Sequence, residues 1–167
     1  DASRFRRPLE GSPEGTRLVA YPRLSYPIVR PGWFVIPRIG LHLSSYRLDQ
    51  NNGLQTSLNR SVPILSVDAG LVFERNAQLF GRSLTQTLEP RLFYVRTPFR
   101  DQSAFPVFDT GVADFNFAQL FSENTFVGSD RIADQNQLTT AVVSRLVEPD
   151  TAVESLRLAL GQRLYFS

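Results

Sequence analysis

Cysteine is absent from the 167 residues, so neither a disulfide framework nor a thiolate metal site exists within the chain. Lysine is absent as well. All 18 basic residues are arginine, whose planar five-donor fork holds carboxylate or phosphate in bidentate fashion. They are dispersed and interleaved with 16 acids, for a net charge of +2, which leaves no basic patch and argues against a nucleic-acid partner. Histidine occurs once, at His42, with no second His or Cys to complete a metal shell. No G-x-S-x-G elbow accompanies the serines. We therefore expect no catalytic residue, cofactor or metal, and read His42 as a solvated strand residue. No stretch approaches the 18 or so consecutive apolar residues of a membrane helix, so any crossing of a bilayer uses strands. The opening DASRFRR lacks the apolar core of a signal peptide, and the chain reads as a mature piece of something longer.

What the chain does have is alternation. From Trp33 to Ser45, the residues Trp33, Val35, Pro37, Ile39, Leu41 and Leu43 fall on one face, while Arg38, Gly40, His42 and Ser44 fall on the other. Five further stretches repeat the pattern, giving expected strands at residues 16–28, 33–46, 61–74, 83–96, 135–147 and 152–166. Residues 1–15 read as loop. The polar stripes carry small residues and arginine, as the wall of a hydrated lumen does, which points to an all-β, antiparallel transmembrane barrel segment with its apolar stripe toward lipid. On that reading Arg17, Arg23, Arg38, His42, Asp68, Glu74, Glu89, Arg91, Arg157 and Arg163 face the lumen. Tyr21, Trp33, Tyr46, Phe73 and Tyr165 mark interfacial girdles. Connections run short, long, medium, long, short, which places the long loops and both chain ends outside the cell. Pro22, Pro37, Pro63 and Pro90 interrupt the stripes, and each requires a bulge or a place near the rim. Six strands do not close a barrel, since bacterial examples begin at eight, so the remaining strands are expected elsewhere.

The longest connection, residues 97–134, is more aromatic than any strand. Some of Phe99, Phe105, Phe108, Phe115, Phe117, Leu120, Phe121 and Phe126 must be buried, either by the loop folding onto the barrel mouth as a lid or against a partner protein. With the first of these stand Arg100 and Asp101 as contact residues. Residues 114–121, DFNFAQLF, suit a short helix capped by Asp114 or Asn116. The loop acids do not follow a calcium-loop spacing, and we expect them to be solvated or paired with arginine, Arg100 and Arg131 being available partners.

Several runs make a resemblance visible: QTLEPRLFYVRTPFRDQS from Gln86 to Ser103, then PVFDT, DFNFAQLF, DRIADQNQLTTAVVSR and LGQRLYF. In this order they resemble the barrel domain of the LptD family of lipopolysaccharide-assembly proteins. The resemblance implies a barrel of about 26 strands in the cell outer membrane, without enzymatic activity. It implies further that the barrel follows a periplasmic jelly-roll domain, encloses an LptE-like lipoprotein and receives lipopolysaccharide from periplasmic Lpt bridge proteins. Outer-membrane lipid would surround it. The chain lacks the family's cysteines, jelly roll and gate-forming terminal strands, and has Arg96 and Phe99 where many members carry tyrosines. By the same resemblance the long loop folds inward toward the lipoprotein. Two other readings share parts of the pattern: a generic outer-membrane channel, and a soluble β-sandwich in which the apolar stripes pack together.

Overall fold

Period-two sequences that are apolar on one stripe form strands, and the computed structural model, which describes residues 2–5, 14–49, 55–79, 81–114 and 116–166, is built almost wholly of them. In chain order they are β1 (Ala2–Phe5), β2 (Glu14–Ala20), β3 (Arg23–Ser25), β4 (Ile28–Arg30), β5 (Trp33–Asp49), β6 (Gln55–Leu71), β7 (Phe73–Leu79) and β8 (Arg82–Thr97). A two-stranded ribbon of β9 (Gly111–Val112) and β10 (Phe126–Val127) follows, flanking a 3-10 helix at Ala118–Phe121. β11 (Gln135–Val147) and β12 (Glu154–Tyr165) complete the chain.

One antiparallel sheet takes all strands except the ribbon, in the order β1-β2-β5-β6-β8-β11-β12. β3 and β4 continue β2 along β5, and β7 continues β6 along β8. The sheet is therefore seven strands wide, one more than the alternation predicts, because Ala2–Phe5 pairs with β2 where loop is expected. Two connections are also tighter than expected: at the end of the sheet that carries the long loop β5 runs on to Asp49 and β6 starts at Gln55, and at the opposite end β7 and β8 turn over between Leu79 and Arg82. Tyr165 pairs with Gln137 at the end of the sheet that carries the long loop, as expected for the last strand. Ala2, by contrast, lies against Leu18, part-way down the wall.

The four strand prolines account for the irregularities. Each removes a ladder donor. Pro22 separates β2 from β3 while its carbonyl still accepts from Leu41 at 3.1 Å. Pro37 faces the gap between β3 and β4, where the Tyr26 N–H donates to its carbonyl. Pro63 lies beyond the first β6–β8 pair, Leu65 with Arg96. Pro90 stands opposite the break between β6 and β7, where the Val72 N–H turns away to the Gly32 carbonyl at 2.8 Å.

The two faces of the sheet differ. One is open, and no second sheet covers it among the described residues; this removes the β-sandwich reading. Leu24, Ile39, Leu65, Leu92, Leu158 and Leu160 all lie exposed there. The other face is covered toward its loop end by the described residues of 98–134, which form a lid. Here Val62, Ile64, Phe93, Val95 and Ile132 make the buried core, with Tyr21 and Phe121 packed against it. Full burial of such side chains contributes about 1.5–3 kcal/mol each. The polar face expected from Phe93 and Val95's neighbours is thus dry where the lid seats on it.

Candidate functional site

All ten residues expected on the lumen stripe, Arg17 to Arg163, share the lid-covered face, as their cross-strand partners show. They divide into two zones. Toward the loop end Arg17 and His42 are buried beneath the lid; toward the turns the charged row is more exposed, although Asp68 within it is itself buried.

The buried zone is organised by Arg17, which is 2% exposed. Its Nη1 and Nη2 bind both carboxylate oxygens of Asp109 at 2.6 and 2.7 Å, and Nη1 also reaches Asp130 at 2.6 Å. Asp130, fully buried, accepts in addition from the Tyr46 hydroxyl at 3.0 Å and from the backbone N–H groups of Phe108 and Asp109 at 2.7 and 2.9 Å. A carboxylate taken from water at this depth requires such a set of donors. Two of the loop acids, Asp109 and Asp130, are arginine-paired as expected, but by Arg17 of the wall and not by Arg100 or Arg131, and Arg131 donates to the Gln102 carbonyl at 2.7 Å; Asp101, Asp114 and Asp134 are exposed to solvent.

A second tie runs through Arg60, which donates to Gln102 Oε1 and to the carbonyls of Asp130 and Ser129 at 2.8 and 3.0 Å. Gln102 in turn pairs with the backbone of Ile132. A third is Glu123, which accepts from Ser66 at 2.7 Å and Tyr21 at 3.0 Å and lies 3.8 Å from Arg23. Tyr21 lies over Gly40, where an added Cβ would stand 2.6 Å from its ring. The far end of the lid rests on β12. Gly161 leaves room there for Leu120 and Phe117, and Arg163 donates to the Gln119 carbonyl at 2.6 Å.

His42, read as solvated, is 5% exposed and sits beside the Tyr21 ring. Tyr46 and Tyr21, read as girdle residues, belong to the lid contacts, and Tyr165 shares their face. Trp33 and Phe73 do lie on the open face. Of the aromatic loop residues, Phe108 is buried and stacks on Phe5, Phe105 packs edge-on to Tyr46, and Phe117 and Phe121 pack together. Phe99, Arg100 and Asp101 are exposed and take no part in this packing, because they belong to the rim where β8 ends. Phe115 lies outside the described residues. The helix expected over residues 114–121 is a single 3-10 turn from Ala118, with Asn116 Oδ1 accepting from the Gln119 N–H at 3.0 Å.

The open zone is charged but paired. Arg91 grips Asp68 in bidentate geometry at 2.8 and 2.7 Å, and Arg38 stands 3.6 Å from the same carboxylate. Arg91 also lies over the Phe121 ring at 4.1 Å, joining the charged row to the lid. Beyond it Arg145 sits between Glu89 at 3.2 Å and Glu154 at 3.6 Å. Arg157 is directly opposite Arg145, and Glu74 opposite Thr87. Among the described residues no three His, Cys, Asp or Glu gather closely enough to hold a metal.

The Arg17 guanidinium holds the Asp109 carboxyl down at about 2, against an ordinary aspartate value near 3.9. A group depressed in this way adds stability that is present above its unfolded value and lost as pH falls through its folded one. The Asp109 arm of the latch should therefore stay engaged at pH 4 and let go near pH 2, which acid proteolysis of the loop by pepsin across that range measures.

The family model described as "LptD: LPS transport system D" matches residues 1–167. This chain belongs to the LptD family. It is similar to the "LPS-assembly protein LptD" of Bordetella parapertussis, with 52% identity over 179 residues, covering 99% of this chain and 23% of the relative. The protein of the same name from Aromatoleum aromaticum is 55% identical over 155 residues, covering 92% of this chain and 20% of the relative. That of Ralstonia nicotianae is 52% identical over 172 residues, with 99% and 21% covered. The chain thus spans about a fifth of the length of these curated LptD relatives.

Proposed function

We propose that the chain is a wall segment of a multi-pass barrel in the cell outer membrane that delivers lipopolysaccharide to the outer leaflet, with no bond chemistry of its own. The observation that carries this reading is the height of the open apolar face. From Trp33 to Leu43 it spans about 34 Å of strand, which at a tilt of about 40–45° is about 25 Å of bilayer, the height of the apolar band in outer-membrane barrels. Below it stand Arg30, Arg75 and Arg82, and above it Ser45, Arg47 and Asn59, so the band ends in polar collars on both sides.

The opposite face then lines the lumen. A conduit for a phosphorylated glycolipid has to be polar without trapping phosphate, and the Arg38–Asp68–Arg91 and Glu89–Arg145–Glu154 groups satisfy both needs, since each guanidinium is already engaged by a carboxylate. The lid would narrow this lumen at its outer end. Val107, Val112 and Val127 are exposed on the lid and suit contact with a protein inside the barrel, such as an LptE-like lipoprotein. Periplasmic Lpt bridge proteins would act through a domain beyond these residues.

Cysteine substitution in a complete barrel carrying this segment tests the orientation. With a membrane-impermeant, water-soluble thiol reagent, Arg38→Cys and Arg157→Cys should be labelled and Leu41→Cys and Leu158→Cys protected. Labelling of the leucine positions alone overturns the assignment.

A further inference from the structure

We propose that the open face bears, at the loop end of β8 and β11, a binding site for the anionic, phosphate-bearing headgroup of a lipid in the surrounding leaflet, built on Arg96 and Asn136. This rests on the reading that the open face touches lipid. Arg96 and Asn136 are direct cross-strand partners. The Tyr94 hydroxyl donates to Asn136 Oδ1 at 2.9 Å, which turns the amide nitrogen and its two donors outward. Arg96 is exposed and forms no ion pair among the described residues. It is the charged residue of the sheet that intrudes furthest into the open face, directly across from exposed Leu65.

An arginine in that position lays its stem along apolar surface and lifts its fork to the headgroup level, where a phosphate offers the matching bidentate acceptor. The place is shaped for it. A hollow of about 460 Å³ at the rim is lined by Arg96, Asn136, Pro98, Phe99, Asp134 and Phe166 and reaches over the strand ends to Thr97, Gln135 and Tyr165 of the other face. Phe99 and Phe166 are 69% and 49% exposed, as aromatic residues at a membrane interface are. Phe99, which contributes nothing to the lid, thereby acquires a place. Asp134, exposed at the same hollow, opposes an anion, so its removal should strengthen binding.

Native mass spectrometry of a complete barrel carrying this segment, released from detergent with phosphatidylglycerol, tests the site. Arg96→Gln and Asn136→Ala should each weaken retention of one phosphatidylglycerol by about tenfold, the equivalent of losing one or two charge-assisted hydrogen bonds. Asp134→Asn should tighten it, and diacylglycerol should be retained equally by parent and variants. Arg47→Gln removes another open-face arginine and should have no effect. Equal loss from Arg96→Gln and Arg47→Gln would mean diffuse attraction and overturn the site, as would competition by millimolar inorganic phosphate. Retention of neither lipid by the parent, with Leu41→Cys labelled, would instead overturn the membrane reading on which the site rests.

Discussion

Arg17→Ala should free the lid while leaving the wall intact. Asp130 is fully buried and Arg17 is its cation. Removing the arginine strands a buried carboxylate, a change that costs about 3–5 kcal/mol when one partner of a buried pair is deleted. The lid's other polar ties, Arg60 with Gln102, Ser129 and Asp130, Tyr21 and Ser66 with Glu123, and Arg163 with Gln119, are hydrogen bonds worth about 0.5–3 kcal/mol each, and none of them brings a cation onto the Asp130 carboxylate. The β2 ladder to β5 involves only backbone and is untouched. In a complete barrel the expected result is normal heat-modifiable migration together with new tryptic cleavage at Arg131, which the seated lid holds part-buried against the Gln102 carbonyl. His42→Cys, shielded in the parent, should become reactive in the Arg17→Ala background. Asp109→Ala should do much less, because Asp109 is 42% exposed and its loss leaves Arg17 paired with Asp130. A lid that stays protease-resistant in Arg17→Ala would show that the Phe93–Phe121 packing holds it unaided.

That latch is the part of the molecule the sequence does not display. Arg17 and Asp130 lie 113 residues apart, and period-two reasoning is local: it assigns each residue a face and says nothing of what comes to rest on that face. The wall itself was legible for the same reason. Every expected lumen residue from Arg17 to Arg163 shares one side because side-chain direction alternates strictly along a paired strand. The assumption that failed is that a polar stripe is a wet one. Val62 and Ile64 on β6 and Phe93 and Val95 on β8 interrupt the polar stripe on neighbouring strands, and that coincidence is the trace the lid leaves in the sequence. His42 and Tyr46 were misplaced with them, one as solvated and one as a girdle residue. Ala2–Phe5 went unread because four residues hold too few alternations to stand out from an Arg- and Pro-rich surrounding.

Ile39→Arg separates the membrane wall from a sheet in water more sharply than any loop change. Ile39 sits mid-way along the open band, between Leu24 and Leu65 across the strands, and is 53% exposed. On a surface facing water, an arginine there relieves apolar exposure and changes stability by no more than about 0.5 kcal/mol. Facing acyl chains near the bilayer midplane it costs about 2–4 kcal/mol, since neither neighbour offers an acceptor and the nearest collar is several residues away. The same substitution at the rim, Ser45→Arg, should cost about 0–1 kcal/mol. Reversible unfolding of a complete barrel in lipid vesicles by guanidinium, compared across the two variants, gives the difference directly. A gap of about 2 kcal/mol or more between them requires a depth-dependent apolar medium on this face, and equal stabilities would place the face in water and remove the basis for a lumen on the other side.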